Sequence, residues 1–227
     1  MSSELWVARL GRVPYAAGVE LQERIRSRRQ ADEIPDALLL LEHPPVYTKG
    51  RRSRPTDLPM GEDWYLMQGI EVHETDRGGR VTYHGPGQLV GYPIVRIDDV
   101  PAYVHTMERA VVEALGEEGI EAEAREGETG IWAGESKIGS IGVHVSRGVT
   151  THGLAVNVDN DLQPFEWIVP CGLEGVRMTS ILKETGRTRA MDCFRRRIAY
   201  RLAEALGLRQ RLVSVERLAG VREPEPA

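Results

Sequence analysis

The stretch from Gly130 to Gly172 holds the residues most suited to chemistry. Lys137 is its single lysine, set among residues that otherwise read as strands, and Cys171 is one of two cysteines in the chain. A thiol on a Pro-Cys-Gly turn and an amine at the start of a strand are the parts that thioester chemistry needs. A nearby cation favours the thiolate, and the thiolate carries an acyl group between two partners.

Each residue alone has a plainer reading. A lone cysteine is most often a small buried hydrophobe, and a lysine that opens a strand is usually a solvated edge charge. The neighbourhood of Lys137 argues otherwise: Ile138-Gly139-Ser140-Ile141-Gly142 is small and apolar, as suits a backbone that approaches a ligand closely. An amine partly desolvated there would exchange protons nearer neutrality. Cys171 lies between Pro170 and Gly172, which argues for a turn. Cys193, in a helical pattern beside Phe194, reads as structural.

Three further groups have polar potential. Arg77-Gly-Gly-Arg-Val-Thr-Tyr-His84, followed by Gly85-Pro86-Gly87-Gln88, pairs glycines that expose backbone N–H groups with His84 and Gln88 as polar contacts. It is equally a glycine-rich turn with a buried histidine. No Gly-Lys-Ser/Thr follows, so it is not a phosphate loop, and no helix opens after it as a dinucleotide site requires. Thr150-Thr151-His152-Gly153-Leu154-Ala155 either lines the same pocket or is an ordinary strand. The six histidines and two cysteines show no ligand spacing, so no metal is expected. Arg51-Arg52-Ser53-Arg54 and Arg195-Arg196-Arg197 are either solvated faces or a docking surface for acidic carrier domains.

The elements that must position these groups follow from periodicity. Extended segments are expected at Leu5–Leu10, Asp36–His43, Ile70–Thr75, Val81–His84, Gln88–Ile97, Ile131–Ala133, Lys137–Val145 and Val149–Val158. Helices are expected at Tyr15–Gln30, with Val19, Leu21 and Ile25 inward, and at Pro101–Gly119 and Arg189–Leu206; Thr179–Lys183 reads as one helical turn. Lys49–Met60 reads as loop, and Arg147-Gly148 as a hairpin turn. Grouped strands with a few helices between them give an α+β chain, a mixed or antiparallel sheet with helices packed on it. One catalytic domain over residues 1–215 and a disordered tail over 216–227 are expected.

With 41% hydrophobic and 28% charged residues, the composition is that of a soluble globular protein. The net charge of −5 argues against nucleic acid as a partner. No apolar run approaches a membrane span, and MSSELWVARLGR has no signal-peptide core. Two cysteines make no disulfide framework, so a cytoplasmic setting is expected.

Together the segments resemble the lipoyl-pathway octanoyltransferases of the biotin/lipoate protein ligase fold. The matching blocks are Leu41-EHPPVY-Thr48, Arg77-GGRVTYHGPGQLVGY-Pro93, Lys137-IGSIGVHVSRGVTTHGLAVN-Val158 and Pro170-Cys171-Gly172. Only Lys49 is less typical, outside the reaction centre. The resemblance implies transfer of an octanoyl group from acyl carrier protein to a lysine of lipoyl domains. Those domains belong to 2-oxo-acid dehydrogenases and the glycine cleavage H protein. It makes Cys171 the thioester-forming residue and Lys137 its dyad partner. It assigns the acyl pocket to Arg77, Gly78, Gly79, Arg80, Val81, Thr82, Tyr83 and His84, with Ser140, Ile141, Gly142, Gly153, Leu154 and Ala155. His152 and Gln88 are further pocket candidates. Exchange between thioesters is nearly balanced, so no cofactor is expected, and a monomer is assumed. The competing readings are an ATP-dependent lipoate or biotin ligase of the same fold, which has no need of Cys171, and a non-catalytic acyl or carrier binder.

Overall fold

The computed structural model describes residues 4–169, 175–188 and 190–221. Its larger sheet begins with β1 (Glu4–Arg12), which runs parallel to β2 (Asp36–Glu42) because helix α1 (Tyr15–Gln30) carries the chain back between them. A short strand β3 (Val46–Lys49) then leaves for a second sheet, where it lies between β4 (Glu71–Glu74) and β5 (Val81–His84). Helix α2 (Glu62–Met67) sits on the connection between β3 and β4. The chain returns to the main sheet as β6 (Gln88–Ile94), antiparallel to β2.

After α3 (Val100–Gly116), the short β7 (Glu123–Arg125), β8 (Glu128–Ala133), β9 (Ser136–Ser146) and β10 (Val149–Asn157) complete an antiparallel run, with β10 seated between β9 and β6. Arg147 and Gly148 turn the β9–β10 hairpin, both at positive φ as that tight turn demands. A two-residue strand β11 (Arg177–Met178) pairs parallel with the start of β9. Then follow α4 (Ile181–Thr185), α5 (Met191–Ala205), β12 (Arg209–Leu212) and α6 (Val215–Ala219).

The main sheet is covered on both faces. On one side α3 and α5 bring Met107, Val111, Phe194 and Ile198 onto Leu38 and Leu40; on the other Ile25 and Leu218 meet Leu39 and Leu41. This explains why β2 is an unbroken apolar run: its alternate residues feed two different cores. The smaller sheet has its own aromatic core of Tyr47, Tyr65, Tyr83 and Phe165. Tyr47 and Tyr65 meet edge to face at 4.9 Å.

The structure departs from the sequence expectations in several places. Helix α1 buries Tyr15, Gly18, Gln22 and Ile25, while Val19 and Leu21 do not belong to its buried set. Gly18 is there because a β-carbon would stand 3.0 Å from His43. Pro44-Pro45 ends β2 but is followed at once by β3. Helix α3 stops at Gly116, not Gly119, and starts under an Asp99 cap that accepts from the Ala102 N–H at 2.9 Å. The helical turn after β11 is shifted to Ile181–Thr185, because the Ser180 hydroxyl caps it at Lys183 N–H and Gly186 at φ +69° ends it. Residues 216–221, expected within a disordered tail, are instead described: α6 packs on α1 and β1 with Leu218 fully buried.

Replacing Leu218 by alanine is expected to cost about 2–4 kcal/mol of stability in denaturant unfolding. An unmoved midpoint would mean that α6 contributes nothing to the core.

Candidate functional site

The Arg77–Gly79 turn is laid against β9. Gly78 N–H donates to Val143 O at 2.9 Å, and the approach is open because Gly142, directly below, has no side chain; a β-carbon there would stand 3.1 Å from Gly78 O. Arg77 is buried and fixed. Its guanidinium donates to Thr48 O at 2.6 Å, to Thr48 Oγ1 at 2.7 Å and to Gly78 O at 3.0 Å. Arg80 turns to the buried carboxylate of Asp57, with Nε donating at 3.0 Å.

Between this turn, β9 and β10 lies a cavity of about 570 Å³, of a size that suits a small-molecule ligand. Its wall includes Arg77, Gly78, Gly79, Arg80, Thr82, His84, Ser140, Ile141, Gly142, His152, Gly153, Leu154 and Ala155, all expected from sequence. Val81 and Tyr83 are not on it. Side chains alternate across a strand, so β5 turns Thr82 and His84 to the cavity and Val81 and Tyr83 to the aromatic core. Gln88 is also off the wall and acts as a tie. His84 donates from Nδ1 to Gln88 Oε1 at 2.7 Å, and Gln88 Nε2 donates to Asn157 Oδ1 at 2.9 Å. Asn157 donates to Thr179 O at 3.0 Å, and Thr179 N–H to Lys137 O at 2.9 Å. Strand β5 and the lysine strand β9 are therefore joined by one buried polar chain.

Sequence reading missed Tyr15, Tyr92, Val90, Val100, Val104, Val143 and Gly127, which complete the wall; Arg51, Arg52 and Arg54, expected as a solvated face or a docking surface, also stand on it. Most come from apolar residues with no chemical signal of their own. Tyr92 donates to His43 Nε2 at 2.7 Å, because His43 Nδ1 is already committed as donor to Val13 O at 2.6 Å. Burial lowers His43 to about 4 and His84 to about 3, so both rings are neutral near pH 7. Burial also lowers His152, whose Nε2 meets Asp76 at 2.7 Å. Its backbone sits at φ +57°, held there by the buried Gln22 side chain, which accepts from His152 N–H at 2.6 Å.

Lys137 is 1% exposed and is not part of the cavity wall. It pairs with Trp132 of β8 and Met178 of β11, and its amine lies 5.8 Å from the Trp132 ring centre. Its stem passes over Gly130: a β-carbon there would stand 2.3 Å from Lys137 Cε and 2.8 Å from Nζ. Cys171, with Pro170 and Gly172, lies outside the described residues. The chain on either side is anchored, Val169 N–H donating to Asp57 O at 3.0 Å and Met178 pairing with Lys137. Cys193 is exposed on α5, not packed inside as its structural reading implied, since Phe194 takes the inward position. Among the described residues no acidic, histidine or cysteine cluster could hold a metal ion, and no helix is long and apolar enough to cross a membrane.

A family model for the lipoyl protein ligase A/B catalytic domain matches residues 14–203. An octanoyltransferase from Thermobifida fusca is 42% identical over 92% of this chain and 89% of its own. One from Solibacter usitatus is 51% identical over 72% of this chain and 76% of its own. A solved structure of a putative lipoate protein ligase from T. acidophilum superposes with a TM-score of 0.72 at 20% identity, covering 97% of this chain and 93% of that one, and so shares the fold.

Both neutral histidines tie stability to pH. The unfolded chain takes up protons as pH falls below about 6.5, whereas the folded rings resist until about 4 and 3, so stability is lost on acidification through that window. His84→Gln is expected to make the fall in urea midpoint between pH 6.5 and 4 shallower than in the unaltered protein. Parallel curves would contradict the neutral, buried ring.

Proposed function

The chain belongs to the lipoyl protein ligase A/B catalytic-domain family, with the octanoyltransferases, and from that premise we propose how its residues divide the work of octanoyl transfer. The donor is octanoyl-acyl carrier protein. The Cys171 thiolate attacks the thioester carbonyl, the carbon–sulfur bond to the carrier breaks, and the carrier sulfur leaves as a thiol with the proton given up by the Lys137 ammonium. The amine of a lipoyl-domain lysine then attacks the Cys171 thioester, forming an amide and releasing the sulfur. Lys137 favours the Cys171 thiolate as an ammonium and, as the free amine, takes the proton from the incoming lysine.

The observation that carries this reading is the position of Lys137. It is a buried lysine at the strand start paired with Met178, seven residues beyond Cys171, and linked by the polar chain to the cavity's His84. The acyl chain takes the apolar stretch of the cavity along Ile141, Leu154 and Ala155, with Ser140, Gly142 and Gly153 giving room and the Arg77–Gly79 turn closing it. The acceptors are lipoyl domains of 2-oxo-acid dehydrogenases and the glycine cleavage H protein, and the enzyme works as a cytoplasmic monomer without cofactor.

Mixing the protein with octanoyl-carrier should add one octanoyl mass. Cys171→Ala is expected to abolish the adduct and Cys193→Ala to keep it; an adduct surviving in Cys171→Ala would overturn the assignment. Gly130→Ala, which displaces the lysine stem, is expected to slow adduct formation on the order of 10²-fold. Gly134→Ala serves as control, because it too sits at positive φ, +52° against +131° at Gly130, but meets no atom of the described residues within 4 Å. Equal rates in the two alanine variants would mean that the placement of Lys137 does not matter.

A further inference from the structure

The charge on the cavity wall calls for an anion that the octanoyl group does not supply. Five arginines stand on the wall, at positions 51, 52, 54, 77 and 80, and among the described residues no carboxylate does, although the protein carries a net charge of −5. Arg77 serves Thr48, and Arg80 serves Asp57. Arg51, Arg52 and Arg54 are exposed and make no ion pair among the described residues. An octanoyl thioester is neutral, so three unpaired guanidiniums beside it have no function in holding the acyl chain.

We propose that this rim binds the phosphodiester on the prosthetic arm of the thioester donor, an inference that rests on the transferase reading above. Three observations support it. The loop is held in place, with Arg51 N–H donating to Arg77 O and Arg52 N–H to Gly79 O, both at 3.0 Å, so its side chains are presented at the edge of the glycine turn. A second cavity of about 570 Å³ adjoins the first across Arg51 and Arg54, and the Ser53 hydroxyl buried there has no hydrogen-bond partner. The two acids on its wall, Glu62 and Glu74, are taken by Lys49. A phosphate oxygen accepts from both guanidinium and hydroxyl, and planar guanidiniums match it bidentately. The loop also connects to the reaction centre: Arg54 N–H donates to the Asp57 carboxylate, and Asp57 O accepts from Val169 N–H, two residues before Cys171. The arm would then enter with its anion on the rim and its sulfur toward Cys171.

The test compares acyl-enzyme formation, followed by intact mass, from octanoyl-pantetheine, octanoyl-4′-phosphopantetheine and octanoyl-acyl carrier protein. In the unaltered enzyme the phosphate is expected to raise kcat/KM about tenfold or more, and the gain should shrink with added salt. In Arg51→Gln/Arg52→Gln, and separately in Arg54→Gln, the ratio between the two small donors should fall toward one. A ratio near one in the unaltered enzyme, or a gain that survives both variants, would overturn the proposal. So would variants that slow only the carrier protein, since the arginines would then contact its acidic surface. Absence of an adduct from all three donors would bring down the transferase reading itself, and this proposal with it.

Discussion

The structure depends on a lysine held where lysines are rarely found. Lys137 is 1% exposed, inside a sheet covered on both faces. An ionisable side chain at that depth needs compensating groups, because desolvation outweighs most of what a single contact returns. Gly130 leaves the channel for its stem, Trp132 offers a ring face, and β11 pins its backbone at Met178. A thiolate at Cys171 is the counter-charge that the proposed chemistry brings to it.

The second organising feature is backbone closeness. Gly142 lets the Arg77–Gly79 turn settle on β9, and Gly50 lets the arginine loop settle on that turn, since a β-carbon there would stand 2.6 Å from Gly79 O. Three layers of main chain are stacked, with the Arg77 side chain alongside Gly50 and Gly142, and the cavity is what remains at their edge. Its apolar part comes from β6, α3, β9 and β10, and its charged part from the loop before α2 and the Arg77–Arg80 turn. A single site therefore has an end fit for a fatty chain and an end fit for an anion.

Much of this was legible in the sequence, for identifiable reasons. The bounds of α1 matched because a long polar helix sits between two clear turns, and β2, β5 and β10 matched because apolar runs of strand length have few other uses. The motif resemblance located most of the cavity wall. What escaped was short or carried its signal in three dimensions. Helix α2 has six residues, too few for a period, and β12 is a charged, exposed edge strand held by its parallel pairing with β1. Val81 and Tyr83 sit in the same block as Thr82 and His84, and only the facing of β5 separates core from cavity. The arginines of residues 51–54 read as a solvated face or a docking surface, and the fold set them on the cavity wall.

The central claim concerns one amine and one sulfur, and the most direct measurement is the pH dependence of Cys171 alkylation in a Cys193→Ala background. The account predicts a thiol that reacts well below its ordinary pKa of about 8.5, and an upward shift of that profile when Lys137 is replaced by alanine. Identical profiles for the two proteins would contradict it.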